Sequence, residues 1–291
     1  MMTLSSTNEL LAKLDGARDV SLMAYTLPTG RVLDGLTAAA KAGAHVRVRL
    51  EGYIYKDDGS VGTANAAAVA KLRAAGADAQ LVHADKNART AMLHCKAALV
   101  DGSLFLDDRN WPDDGGDTIV RDNFPDDAQI VADALSGKED RPTPFFSVAK
   151  RGSLASEARL LHEAHAGEDV IVESESFGAN NRVYRAIDAA ARAGAHVRLL
   201  VSSRDLQGNA NERGALKKLA ADGVGVRVCD ADEKLAVVDA TRGWLGSTNA
   251  TVAFNHPDQL DWGARTDAPT IMSHLREAFE QRWSTASHAV S

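Results

Sequence analysis

Cysteine is scarce. The 291 residues hold only Cys95 and Cys229, which excludes a disulfide scaffold and fits a reducing compartment. Basic residues are also in deficit, 33 Lys and Arg against 40 Asp and Glu, for a net charge of −7. That argues against a strong non-specific hold on nucleic acid, which uses Lys and Arg to displace counterions from phosphates. A local basic groove would still admit one. No apolar run approaches the ~20 residues of a transmembrane helix. The N-terminal stretch MMTLSSTNELLAKLDGARD has no basic segment followed by an apolar one, so no secretory signal is expected. These absences lead to the expectation of a cytoplasmic protein. What is present suffices for a core: 45% of the residues are hydrophobic and 25% charged, which excludes intrinsic disorder. At ~150 residues per domain the chain should hold two domains or one duplicated one.

The chain repeats itself. Residues 36–50, LTAAAKAGAHVRVRL, match residues 187–201, IDAAARAGAHVRLLV, with Gly43 and Gly194 lying 151 positions apart. Each stretch reads as an Ala-rich helix, a glycine stop with positive φ, and an alternating strand starting at His45 or His196. Upstream, DVSLMAYT (19–26) answers DVIVESES (169–176), and downstream AAVAKLRAAGADAQLV (67–82) answers RGALKKLAADGVGVRV (213–228). Alternating strands and helices of this kind predict an α/β fold with a largely buried sheet. The expected boundaries are a first repeat over 1–136, a Pro-, Gly- and charge-containing linker over 137–156, and a second repeat over 157–291. A site would then fall at a pseudo-two-fold interface between the halves.

At the end of the first repeat stands His94-Cys95-Lys96-Ala97-Ala98-Leu99-Val100-Asp101, an H-x-K-x4-D pattern read as a strand. Alternation puts His94 and Lys96 on one face and Cys95 on the other. An imidazole beside an ammonium suits a phosphate: the lysine holds the anion, and the histidine attacks phosphorus or moves a proton. The matching place in the second repeat reads Asp232-Glu233-Lys234-Leu235-Ala236-Val237-Val238-Asp239, which keeps the lysine and the last aspartate but has Asp232 where the histidine would be. Beyond it Gly246-Ser247-Thr248-Asn249 answers Asp107-Asp108-Arg109-Asn110.

On these residues the sequence resembles the phospholipase D superfamily, which carries two H-x-K-x4-D motifs, each followed by G-S-x-N, in the halves of a duplicated α-β-α sandwich. The resemblance spans nearly the whole chain, including the AGAHVR turns and the terminal helix LREAFEQRW (275–283). It implies metal-free chemistry without a cofactor, in which one histidine becomes a phosphohistidine and the other serves the leaving and entering alcohols. It makes His94 the nucleophile. Lys96, Lys234, Asn110 and Asn249, with Ser247, become the phosphate clamp. Asp101 and Asp239 become supports of the local fold, and Asp117 and Asp261 are candidates for the acid that orients each histidine.

Two departures stand out: Asp232 for the second histidine, and Asp107-Asp108 for the first Gly-Ser. Asp232 is either a general acid/base in the histidine's stead, the mark of a non-catalytic phosphate-ligand binder, or a replacement introduced to inactivate the site. His256 could supply an imidazole, but an Asn-His-Pro loop reads as surface. Asp101, Asp107 and Asp108 admit an Mg²⁺ reading, though solvated loop carboxylates are the simpler one. His162 and His165 are spaced for an exposed helix face, Glu173 and Glu175 close a strand, and Trp244 and Phe105 occupy equivalent core positions.

The expected substrate is a phosphodiester, such as a phospholipid or its head group, cleaved or transferred by a phospholipase D-like enzyme. The alternatives are the degenerate binder and a nuclease of the same superfamily. Lys86 and Arg89, in a first-repeat loop longer than its counterpart, could meet a second anionic group. Both motifs lie in one chain, so a monomer could complete the site.

Overall fold

The computed structural model describes residues 2–55, 61–62, 64–83, 92–113, 118–138, 141–203, 210–251 and 259–288. The chain divides into two compact units. The first comprises Met1–Thr143, Ser147–Lys150 and Phe254–Trp262, and the second Pro144–Phe146, Arg151–Ala253 and Gly263–Ser291.

The first unit runs β1 (Met2–Leu4), α1 (Thr7–Leu14), β2 (Asp19–Ala24), α2 (Arg31–Lys41), β3 (His45–Glu51), β4 (Ile54–Tyr55), β5 (Val61–Gly62), α3 (Ala66–Ala74), β6 (Asp78–Val82), β7 (Ala97–Val100), β8 (Ser103–Asp107), β9 (Ile119–Asp122) and α4 (Pro125–Leu135). Its main sheet has the order β1-β9-β8-β7-β2-β3-β6. Strands β2, β3 and β6 are parallel, and β7, β8, β9 and β1 continue the sheet antiparallel. Alternation decides the faces. Val20, Leu22, Val46, Val48 and Leu50 pack with α1, α2 and α3 in one core, and α4 lies against β2, β7 and β8 outside that core.

The remaining elements lie in the second unit except for residues 147–150 and 260–262, and run β10 (Phe146–Ala149), α5 (Lys150–His162), β11 (Asp169–Ser174), α6 (Arg182–Arg192), β12 (His196–Ser202), α7 (Ala210–Ala221), β13 (Gly225–Cys229), β14 (Leu235–Val238), β15 (Arg242–Gly246), β16 (Leu260–Thr266), α8 (Pro269–Thr285) and β17 (Ser287–His288). The sheet order is β10-β16-β15-β14-β11-β12-β13-β17. Strand for strand, β16-β15-β14-β11-β12-β13 repeats β9-β8-β7-β2-β3-β6, and the register Asp169↔His196 repeats Asp19↔His45. The repeat seen in the letters is a repeat of topology. Gly43 and Gly194 have φ of +96° and +92°, the left-handed helix stop that an L side chain resists. Among the described residues no helix is long and apolar enough to cross a membrane.

Two local expectations are corrected. The stretch 137–156, read as a linker, contains β10 and the first half of α5. Its small residues serve packing: Ser153 Oγ meets Thr248 Oγ1 at 2.5 Å, and Gly263 lies so close to Ser153 and Trp244 that no side chain fits there. His162 is the last residue of α5, so His165 lies beyond the helix; both are exposed.

Candidate active site

His94 lies just ahead of β7, in an extended segment rather than in the strand itself. Backbone bonds hold that segment against the start of β16: His94 N–H donates to the Leu260 carbonyl and Leu260 N–H to that of Met92, each at 2.8 Å. The first three residues of β16 belong to the first unit, so Asp261 arrives beside His94 although 167 positions separate them. From β3, the buried Glu51 carboxylate accepts the Leu93 N–H at 2.7 Å and the Tyr53 N–H at 2.8 Å, and lies 2.9 Å from His83 Nδ1. This knot fixes the backbone next to the histidine.

The His94 side chain is 14% exposed and its Nδ1 lies 2.7 Å from Asp261 Oδ1, on a carboxylate that is wholly buried. With that carboxylate as acceptor, the hydrogen-bond network assigns the proton to Nδ1 and leaves Nε2 unprotonated. Lys96, 1% exposed, has Nζ at 3.0 Å from Nε2 and 3.1 Å from Nδ1. Being equidistant, the ammonium lies on neither lone-pair axis and acts as a charge beside the ring. The Tyr25 ring flanks the imidazole at 5.2 Å between centroids.

Asp261 is itself held from behind. Gln259 Nε2 donates to its Oδ2 at 2.7 Å, and the Lys150 N–H donates to the Gln259 carbonyl at 3.0 Å. Lys150 Nζ reaches Gln259 Oε1 at a long 3.4 Å. Burial pushes the Asp261 carboxyl up, but the charge and hydrogen bond of His94 and the charges of Lys150 and Lys96 outweigh it, so its pKa is lowered. Burial lowers the pKa of Lys150, against the pull of Asp261.

Asn110 Oδ1 accepts the Thr26 N–H at 3.2 Å, and its counterpart Asn249 Oδ1 accepts the Ser176 N–H at 3.1 Å. Both amides thus hold their Oδ1 ends on a backbone N–H two residues past the end of the matching strand in each repeat. Asp101 accepts the N–H groups of Arg18 and Asp19, as a support of the local fold would. The expectation of solvated acids at 107 and 108 is corrected: both are buried. Asp107 accepts N–H bonds from Arg109 at 3.2 Å and Trp111 at 2.5 Å, Asp108 accepts one from Thr118 at 3.0 Å, and the Trp262 indole donates to the Asp107 carbonyl at 2.8 Å. Burial pushes the Asp107 carboxyl up despite those bonds and Lys96. Backbone N–H groups take both Asp107 oxygens and Asp108 Oδ1, and among the described residues no group of three His, Cys, Asp or Glu is placed to hold a metal ion.

The second motif is wired differently. Lys234, 4% exposed, pairs with Glu175 Oε2 at 2.9 Å and donates to the Asp232 carbonyl at 2.6 Å. Glu175 stands where the first repeat has Tyr25, and that difference replaces an aromatic wall by a counter-ion. Arg282 of α8 bridges Glu173 and Glu233, each at 2.9 Å. One guanidinium between two buried acids leaves a proton on the pair: burial, with Glu233 and Asp232 nearby and against the pull of Arg282, raises the Glu173 carboxyl to about 8. Ser247 and Thr248 are fully buried at the end of β15.

Residues 158–283 match the family model described as cardiolipin synthase, PLD-like domain. That match lies in the second half of the chain and covers less than half of its length. Solved structures agree on the phospholipase D-like fold. Phosphatidylserine synthase from Haemophilus influenzae Rd KW20 superposes with a TM-score of 0.67 at 10% identity, covering 99% of this chain and 86% of that one. Polyphosphate kinase from Porphyromonas gingivalis does so with 0.67 at 13% identity over 97% of this chain, which spans 50% of the kinase's length. No curated protein matches the sequence. Of the two motifs the chain keeps the first intact and has Asp232 in place of the histidine of the second. The resemblance did not point to Glu51, Gln259, Lys150 or the role of Glu175. Their only sign in the sequence was a charged or amide residue at a strand or helix end. Asp117, Lys86, Arg89 and His256 lie outside the described residues.

Proposed function

We propose that the chain is a phosphodiester hydrolase or phosphatidyl-type transferase working through a phosphohistidine on His94. The observation that carries this reading is the His94–Asp261 bond, which presents the Nε2 lone pair next to the Lys96 ammonium. In the first step Nε2 bonds to phosphorus and the phosphorus–oxygen bond to the leaving alcohol breaks. The proton for that alkoxide comes from Asp232, the residue in the second histidine's place. In the second step water or an acceptor alcohol attacks phosphorus, its proton passes to Asp232, and His94 is released. Asp261 stabilises the imidazole in the reactive tautomer, and Lys96 with the Asn110 amide favours the charge that gathers on the phosphoryl oxygens. Asn249, Ser247 and Lys234 are the second repeat's counterparts in the clamp, while Asp101 and Asp239 support the strand ends. Lys234 already carries Glu175, so in this reading the first motif bears most of the phosphate's charge.

That pairing also favours the second reading, a phosphate-ligand binder without turnover. Hydrolysis of a chromogenic phosphodiester and of a short-chain phospholipid, with EDTA present, separates the two. Turnover in the wild type that survives EDTA and falls at least about a thousandfold in His94→Asn is expected. No turnover in the wild type with activity gained in Asp232→His would establish the binder instead.

A further inference from the structure

The residues behind the His94–Asp261 pair form a second layer that the mechanism above does not use. Lys150 is the first residue of α5, where the helix dipole disfavours a cation, and it is 5% exposed. A buried ammonium in that position is costly unless an anion compensates it. Asp261 is an anion that acts on it, and the buried Gln259 lies between them, its amide nitrogen on the carboxylate and its carbonyl oxygen toward the ammonium. Four residues thus stand in line: Lys150, Gln259, Asp261 and His94.

We infer that Lys150, acting through Gln259 and Asp261, is a positioning residue that sets the pH at which His94 becomes a free base. The inference rests on His94 being the nucleophile, as proposed above. Asp261 is faced by His94 and Lys96 from the segment before β7 and by Lys150 from α5, and Asp107 of β8 lies beside Lys96. Lys96 sits against the ring and is assigned to the phosphate. Lys150 is screened from the ring by Gln259 and Asp261, so its charge acts on the pair without touching substrate. His94 and Asp261 take up one proton as a coupled unit. A cation beside that unit opposes the proton whichever member binds it. Removing the cation therefore raises the pH of uptake, and removing the amide that supports the carboxylate acts in the same direction.

The test is the titration of His94 in the full chain labelled with ¹³C-histidine, its resonance assigned by its loss in His94→Asn. In Lys150→Met the midpoint is expected to rise by about half a pH unit or more, and Lys150→Arg should restore it. Gln259→Leu, which keeps the lysine, should move the midpoint the same way and covers the case in which Lys150→Met does not fold. With an active substrate, the acid limb of kcat/KM should follow the midpoint, with KM changed less than kcat. An unmoved midpoint in both folded variants would overturn the inference and reduce Lys150 to a packing residue. Because the titration needs no turnover, an inactive wild type would count against the proposed function without touching this result.

Discussion

At the scale of single residues, the arrangement turns on which nitrogen of His94 carries a proton. The buried Asp261 carboxylate can only accept, so it selects Nδ1–H and leaves Nε2 unprotonated, as the proposed nucleophile must be. An asparagine in its place would keep the volume but could offer its N–H₂ to Nδ1 and favour the wrong tautomer. Asp261→Asn should therefore reduce kcat by a hundredfold or more while the chain stays folded, checked by steady-state kinetics beside thermal unfolding. The same scale separates the two motifs. Lys96 faces an imidazole, whereas Lys234 faces a glutamate and a backbone carbonyl, so two lysines at equivalent positions carry different net charge into their surroundings.

At the scale of elements, the close packing of α5 depends on small side chains. A methyl group on Gly263 would run into Ser153 and Trp244, both fully buried, whereas one on Gly243 would meet chiefly the terminal sulfur and methyl of Met272, a flexible side chain. Gly263→Ala should cost about 1–3 kcal/mol by overpacking, and Gly243→Ala distinctly less, as read from urea unfolding of the two variants. The linker expectation failed here for the same reason. Gly152, Ser153 and Ser156 carry the composition of a loop, but their small volume is what lets a helix approach a strand, and composition alone does not tell these uses apart.

At the scale of the whole molecule, burial sets the dependence of stability on pH. Burial raises the carboxyl of Glu173 to about 8. Burial and the neighbouring Asp122 raise that of Asp127 to about 7, and burial alone pushes Glu157 well up. Between the ordinary carboxylate range and those values the folded chain binds more protons than the unfolded chain, so stability falls as pH rises. The melting temperature should drop steadily from about pH 5 to pH 8.5. Glu173→Gln should flatten the upper part of that curve, because the amide keeps a neutral partner for Arg282 without a proton to lose. A flat wild-type profile over the range would contradict the burial assigned to these acids.

Much of this was written in local patterns. The duplicated helix–glycine–strand units, the strands starting at His45 and His196, the positive φ of Gly43 and Gly194, and the pairing of His94 with Lys96 all follow from periodicities of two and 3.6 and from the freedom of glycine, which act over a few residues. Whether an acid meets a base was legible only in part. Asp261 was a candidate by analogy of position. Only the folded chain brings it to His94 across 167 residues, because residues 260–262 join the first unit rather than the second. Likewise only packing decided that Lys150 is buried behind that acid, that Glu175 neutralises Lys234, and that Asp107 and Asp108 serve backbone amides. Sequence periodicity reports the face a side chain takes on its own element; the charge it meets there depends on which other element is laid against that face.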